Sequence, residues 1–342
     1  MSSFLSGLII STNDIWIFKL YKYDIFLLYN LFLALTEGMG YDILSKIKKE
    51  PAFTWQYFET QRKARFVVML EKEQLKQHAA NIRANIIRGT HHAASGHPGG
   101  SLSIADIMTV LYFEEMNVDP KNPKMEDRDR FVLSKGHTAP ALYATLAEKG
   151  FFSEDEIVNL RKLGHILQGH PDMKKIPGVD MSSGSLGQGL SIANGMALYA
   201  KANNKSYRVY TVMGDGEIQE GQIWEAAMSA AHYKLDNLVA IVDNNNLQID
   251  GEVGNVMSPY PIDEKFMAFG FHVINIDGHN FEEIEDALAE ARTVKGKPTA
   301  IIAKTVKGKG VSFMENLAKW HGTAPNREQA EQAINELTGG SL

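Results

Sequence analysis

The chain has 342 residues, no cysteine and a formal net charge of −6 at pH 7. That length can bury a large core in one or two domains. Without cysteine, disulfides and thiol catalysis are excluded, and the acidic balance gives no reason to expect nucleic-acid binding. These features suit a cytoplasmic protein.

Residues 1–68 differ from the rest. Met1 to Leu35 is rich in Ile, Leu, Phe and Tyr, but Lys19, Lys22 and Asp24 interrupt it. The longest apolar run, Ile25 to Leu35, contains Asn30 and is far short of the roughly 20 residues of a bilayer span. Two lysines precede that run, as in a signal peptide, but no small-residue cleavage site follows, so no membrane segment is expected. From Met69 the sequence MLEKEQLKQHAANIRANIIRG reads as a native start followed by an amphipathic helix, with Leu75, Ala79, Ile82 and Ile86 in register. The expected division is an extension over 1–68, poorly structured or arising from a start codon chosen too early, then a domain over 69–327. A polar, helical tail over 328–342 completes it.

Helices and strands then alternate. SGHPGGS, Ser95 to Ser101, reads as a turn-rich loop, and Ser103 as the cap of a helix from Ile104 to Met116. After a loop marked by Pro120 and Pro123, Arg130 to Leu133 reads as a strand, leading through SKGHTAP into a helix. Phe151 to Leu163 reads as a helix opened by a capping box of Ser153 and Glu156. SSGSLGQGLSIANGMALYAK is a glycine-rich turn opening into a helix. Val209 to Met213 is an apolar run ending in Gly-Asp-Gly, as a buried parallel strand does when it carries an acid to the sheet edge. A helix follows, with Ile223, Ala226, Ala227, Ala230 and Ala231 on one face. A second apolar run, Leu238 to Val242, ends in Asp243-Asn244-Asn245-Asn246. His272 to Ile276 and Pro298 to Lys304 read as strands, with a helix from Phe281 to Val294 between them. Repeated strand–helix units of this kind predict an α/β fold, a parallel sheet with helices on both faces.

Several loops should meet at the C-terminal edge of such a sheet, where ligands bind. Asp215 and an Asn amide at neighbouring strand ends offer oxygen ligands to a hard divalent cation, leaving positions open for phosphate oxygens. GSLGQG, Gly184 to Gly189, opens a helix whose free N–H groups and dipole suit an anion. His97, His137, His170 and His321 all sit in loops beside Gly or Pro, where proton shuttles near neutral pH can be placed. His91, His92, His165, His232, His272 and His279 read as structural or exposed. Glu220 and Glu225 lie near a helix start, where acids commonly complement the dipole.

GDG followed, a helix and strand later, by NN is the thiamine-diphosphate signature. With GDGEIQEG, IWEA, LQIDG, SGHPGG, SKGHTAP, QGHPD and WHGTAP around it, the chain resembles transketolase from about Met69 to Arg327. The resemblance implies the diphosphate-binding (PP-type) domain of that family. Thiamine diphosphate would be held with Mg2+ (or Ca2+ or Mn2+) by Asp215, the Asn245 side chain and the Leu247 carbonyl. It implies cofactor contacts from Gly184, Ser185, Leu186 and Gly216; some members carry Pro where Ser185 stands. Lys135, His137 and Lys307 would lie near the diphosphate. His97 and His321 would face the reacting oxygens, and His170 the C1 hydroxyl of the donor. Glu220 would lie by the cofactor, and Glu225 in a carboxylate network between active sites.

The activity implied is transfer of a two-carbon ketol unit from a ketose phosphate to an aldose phosphate, as in the pentose phosphate pathway. Single-chain members continue for roughly twice this length into a pyrimidine-binding domain that completes the site. The expectation is therefore a split enzyme, α2β2, whose second chain is the C-terminal transketolase subunit, with no membrane or nucleic-acid partner. Other readings stay open: another thiamine-diphosphate enzyme (a 2-oxoacid dehydrogenase component or deoxyxylulose-phosphate synthase), a relative using an unusual sugar phosphate, or a non-catalytic cofactor-binding regulator. The SGHPGG, QGHPD and WHG histidines argue against the first.

Overall fold

The computed structural model describes the backbone of residues 5–11, 14–20 and 51–340 and the side chains of residues 72–340. The chain divides into two compact units, Met1–Glu71 and Lys72–Leu342. In the first, β1 (Leu5–Ser11) pairs antiparallel with β2 (Asp14–Leu20), Leu5 opposite Leu20 and Ser11 opposite Asp14. The expectations for the apolar run Ile25 to Leu35 lie outside the described residues. Helix α1 (Pro51–His92) runs through Met69 without a break. Among the described residues no helix is long and apolar enough to cross a membrane.

The second unit is built on a parallel five-stranded sheet. Its strands are β3 (Arg130–Leu133), β4 (Val209–Gly214), β5 (Leu238–Asn244), β8 (His272–Asp277) and β9 (Thr299–Lys304), in the order β3-β4-β5-β9-β8. Two short strands, β6 (Leu247–Gln248) and β7 (Gly251–Glu252), form a separate hairpin. Strands β3, β4, β5 and β9 are near-continuous apolar runs because both faces are covered, while the edge strand β8 is only partly buried. Alternate residues face opposite ways. Phe131, Leu133, Tyr210, Val212, Val239, Ile241 and Ile301 join one core; Val132, Val209, Met213, Leu238, Ala240, Val242 and Ile302 join the other.

Each face has its own helices. The first core is closed by α1 from Ile82, α2 (Pro98–Leu102), α3 (Ala105–Val110), α4 (Ala139–Lys149), α9 (Phe281–Thr293) and α10 (Arg327–Thr338). The second is closed by α5 (Gln188–Ala202), α6 (Gly221–His232) and α8 (Ile262–Ala268); a short α7 (Val253–Met257) lies between β7 and α8. The predicted α/β sheet with helices on both faces is the one observed.

Local readings needed correction. SGHPGGS is not all loop, since Pro98–Leu102 forms α2. The expected helix from Ile104 is α3 continued by a π-turn, Leu111–Glu115, and Ser103 does not cap it. The Ser103 hydroxyl instead donates to Gly100 O and to Asp243 Oδ2 at 2.6 Å. The helix read over Phe151 to Leu163 is only a 3-10 turn, Glu154–Asn159. Ser153 Oγ does accept from Asp155 N, but Glu156 bonds His165 Nε2 at 2.6 Å instead of closing a box. Arg161 then takes a left-handed φ of 61°, which a helix cannot carry. The C-terminal tail is a capped helix, with Asn326 and Gln329 forming a capping box and Ala330, Ala333 and Ile334 buried in the core. On α6, Ile223, Ala226, Ala227 and Ala230 are buried, while Ala231 is only half-buried.

Candidate active site

Parallel strands deliver all their C-terminal ends to one edge. Lys135 follows β3, Asp215 follows β4, Asn245 follows β5, His279 follows β8 and Lys307 follows β9. The register pairs Gly214 with Asp243, so the two predicted tips are neighbours. The Asp215 carboxylate reaches across between them. Its Oδ1 accepts from Gly216 N at 2.8 Å and its Oδ2 from Asn246 N at 2.5 Å. Asn246 has a left-handed φ of 62°, which Asn tolerates and which turns the chain back toward Asp215. Asn245 donates from Nδ2 to Asp243 Oδ2 at 2.9 Å and accepts at Oδ1 from Leu247 N at 3.0 Å. Those two bonds orient its amide. The Leu247 carbonyl accepts from Lys307 Nζ at 3.0 Å.

Asp215 is 2% exposed and forms no ion pair among the described residues. Burial, and then the charge of Asp243, push its carboxyl up to about 7. A buried carboxylate held only by amide N–H groups is stabilised in its charged form by a bound cation. The carboxylate, the Asn245 amide oxygen and the Leu247 carbonyl are hard oxygen donors of the kind a small divalent cation takes. Among the described residues no group of three or more His, Asp or Glu side chains is arranged to hold a metal.

The histidines converge. The rings of His97, His137 and His321 lie 5.1, 5.2 and 5.4 Å apart, centroid to centroid. His321 Nδ1 is 3.1 Å from Lys307 Nζ. Burial first, then neighbouring cations, hold all three neutral: Arg161 acts on His97, Lys135 on His137 and Lys307 on His321. His97 and His321 are pushed down to about 4 and about 3. His97 Nδ1 is buried without a hydrogen-bond partner among the described residues, which leaves a polar atom for a ligand. His170 is exposed, and its ring packs on Gly184, where a Cβ would lie 3.1 Å from Cδ2. Lys307 itself is buried, and burial, then Lys135, lower its amine to about 8.

The glycine-rich loop is held close to this group. A Cβ on Gly136 would fall 2.7 Å from Gly184 N and Ser183 Oγ, so only glycine lets the two loops meet. Gly187 caps α5 with φ 84°. Its N–H is not free, as the sequence suggested, but donates to Glu217 Oε1 at 3.0 Å. Glu217 is 3% exposed and also accepts from Ser134 Oγ at 2.5 Å and Gly214 N at 3.0 Å. An internal carboxylate thus supplies the negative charge at this helix start. Ser185 and Leu186 are exposed and Gly216 half-buried. Glu220 and Glu225 are exposed, and neither carboxylate has a hydrogen bond or ion pair among the described residues.

Sequence reasoning missed the group beneath the site. Asp243 is fully buried and accepts from Lys135 Nζ at 2.5 Å, from Ser103 Oγ at 2.6 Å, from Asn245 Nδ2 and from Thr305 Oγ1. Lys135 also donates to Gly100 O at 2.8 Å. Lys135 is therefore brought to the edge but tied into an ion pair. The available signal was an acid closing an apolar strand, where a buried charge requires a counter-ion.

The family described as transketolase, thiamine diphosphate binding domain, matches residues 74–339. The chain is 46% identical over 270 residues to the 6-deoxy-6-sulfo-D-fructose transketolase subunit of Clostridium sp. strain MSTE9, covering 79% of this chain and 98% of that one. It is 44% identical over 269 residues to an apulose-4-phosphate transketolase subunit of Phocaeicola vulgatus, covering 79% and 95%. Among solved structures, transketolase from Campylobacter jejuni superposes with a TM-score of 0.73 at 37% identity, over 77% of this chain and 42% of that chain.

Proposed function

The chain belongs to the transketolase thiamine-diphosphate-binding domain family, and on that premise we propose that it is the diphosphate- and metal-binding subunit of a two-chain transketolase. One observation carries the reading. Lys307 Nζ touches both the Leu247 carbonyl and His321 Nδ1, at 3.0 and 3.1 Å, so the oxygen tips and the histidine cluster form one site.

Asp215, Asn245 and the Leu247 carbonyl would hold the divalent ion, Mg2+ in the first instance. Lys135, His137, Gly184, Ser185, Leu186, Gly216, Glu220, Glu225, Lys307 and His321 would surround the cofactor. Thiamine diphosphate, when bound, supplies the electron sink for breaking the C2–C3 bond of a ketose. The protein's part is to bind, orient and move protons. His97, held neutral, would present a nitrogen lone pair to a sugar hydroxyl. His321, whose Nδ1 accepts from the Lys307 ammonium, would present its Nε2–H to a sugar oxygen, and an anionic diphosphate alongside raises the basicity of both rings. His170, at the exposed rim, would hold the terminal hydroxyl of the donor.

The substrates proposed are a ketose phosphate as donor and an aldose phosphate as acceptor, with a cytoplasmic α2β2 assembly. Support for a separate partner comes from the two relatives covered almost end to end, both named as subunits. That partner would bring the pyrimidine-binding domain. The test is reconstitution of the chain with the product of the neighbouring reading frame. The chain alone should show negligible ketol transfer, and the mixture should restore it. His97→Ala in the mixture should lose turnover while thiamine diphosphate still binds. Full activity of this chain alone would refute the two-chain reading, and unchanged turnover of the variant would refute the role of His97.

A further inference from the structure

A second buried network ends at the same sheet edge and takes no part in the chemistry described above. Arg83, on α1, donates two parallel bonds to Asp106 on α3, Nη1 to Oδ1 at 2.8 Å and Nη2 to Oδ2 at 2.6 Å. His279 Nδ1 lies 2.8 Å from the same Asp106 Oδ2. On the far side of the ring, Val306 N donates to His279 Nε2 at 2.8 Å. A backbone N–H can only donate, so Nε2 is the acceptor and the proton sits on Nδ1, facing the carboxylate. The tautomer is thereby set by its neighbours. Side-chain exposures of 9, 6 and 12% for Arg83, Asp106 and His279 keep water from replacing these bonds. Burial would raise the Asp106 carboxyl, but the Arg83 charge and the bonds from His279 and Arg83 outweigh it and hold it at about 2.

Val306 immediately precedes Lys307, and the segment around it is held at successive points. Thr305 Oγ1 donates to Asp243 Oδ1, and Thr305 N to Asn244 O at 3.2 Å. Gly308 N donates to Gly99 O at 2.9 Å. A Cβ on Gly278, beside His279, would lie 2.5 Å from Thr305 Cγ2, so the two loops pack backbone to side chain. His279 holds the amide before Lys307 and the Gly99 carbonyl the amide after it, and of the two only His279 does so with a side chain; the Lys307 ammonium between them joins the Leu247 carbonyl to His321.

We propose that His279, backed by Asp106 and Arg83, is a positioning residue that sets the backbone before Lys307 and so places the Lys307 ammonium for the bound diphosphate. The role resembles that of outer-shell partners of metal ligands, which orient a group they do not replace. Arg83 and Asp106 keep their two parallel bonds without it; what the imidazole adds is a rigid spacer with a donor on one edge and an acceptor on the other. Glutamine offers a donor and an acceptor at the end of its side chain, leucine offers neither, and asparagine is too short to span Asp106 and Val306.

This rests on the cofactor reading, and the test separates the two. The wild-type chain, His279→Leu and His279→Gln are each assembled with the partner subunit. Thiamine diphosphate affinity is measured by calorimetry in Mg2+, and amide exchange of residues 305–308 is measured without cofactor. His279→Leu should weaken binding about tenfold, the lower end of the outer-shell range, and speed exchange at Val306 and Lys307. His279→Gln should stay within about threefold of wild type. If His279→Leu does not fold, His279→Asn takes its place with the same expectation. A merely structural role would lower the unfolding midpoint and leave affinity and local exchange alone. Equal losses in His279→Leu and His279→Gln, or wild-type affinity in His279→Leu, would overturn the inference while leaving the cofactor reading intact. No thiamine diphosphate binding by the wild-type assembly would overturn both.

Discussion

Asp215 and Asp243 close neighbouring strands and are joined by one backbone bond, Asp215 N to Asp243 O at 3.2 Å, yet they are in opposite electrostatic states. Asp243 is surrounded by an ammonium, two hydroxyls and an amide, and against the cost of burial these hold its carboxyl below the usual range. Asp215 has two backbone amides, no basic partner in contact, and a carboxyl raised to about 7. Both are acids at the ends of apolar strands; their partners divide the work. The acid that is fully paired holds the strand ends and Lys135 in place, and the one left short of positive charge is where a metal ion gains most.

The largest effect should come from breaking the paired acid. Asp243→Ala leaves Lys135 buried without a counter-ion and should cost about 3–5 kcal/mol of folding stability, read from urea unfolding of the full chain. A loss below about 1 kcal/mol, the scale of exposed pairs, would mean that water reaches Lys135 and that the contrast is overstated. Asp215→Asn should cost the fold less. It removes the buried charge but turns an amide NH2 toward one of the two backbone N–H groups, so the cofactor-free fold should lose no more than about 1–3 kcal/mol above pH 7. Mg2+-dependent binding of thiamine diphosphate by the assembled enzyme should fall by more than about 100-fold, beyond what outer-shell groups carry. Calorimetry that found near-normal affinity would move the metal elsewhere.

How much of this was readable in the amino acids follows from the same contrast. Strands β3, β4, β5 and β9 were legible because strands covered on both faces need unbroken apolar runs, and each run ends at a polar residue or glycine, Ser134, Gly214, Asp243 and Lys304; β8, at the sheet edge, was legible from Val273, Ile274 and Ile276 despite Asn275. Asp215 and Asn245 were legible as a spaced motif, and His97, His137 and His321 as glycine-flanked loops that the fold brings together. The support of Asp243 was not, because its partners Ser103, Lys135 and Thr305 come from three other elements, 140, 108 and 62 residues away. Glu217 was passed over for Glu220 and Glu225. Only the three-dimensional turn shows that the nearer acid folds back onto Gly187 while the other two stay exposed. Ser153 and Glu156 spelled a helix start, and the competing bond to His165 was invisible without the tertiary contact.

The smallest effect concerns acid, and it tests whether the histidine cluster is as dry as the spacing of its rings suggests. His97 and His321 titrate at about 4 and about 3 in the folded chain, against 6.5 for an unperturbed imidazole. Between those values and 6.5 the unfolded chain binds protons that the folded chain refuses, so stability falls as pH falls through this window. Asp215 works against this trend: its raised carboxyl stabilises the fold progressively as pH drops from about 7 toward 4. The net slope of the wild type therefore mixes both signs, and the difference between variant and wild type is the informative quantity. In the cofactor-free chain, His97→Asn should make stability fall less steeply between pH 6.5 and 4, by close to about one proton for the ring removed. His321→Asn should do the same, extending to lower pH. Parallel curves for wild type and His97→Asn would mean that the imidazole is protonated normally in the folded state. The ring would then be solvated, and its buried, unpartnered Nδ1 would be taken by water and not kept for a sugar hydroxyl.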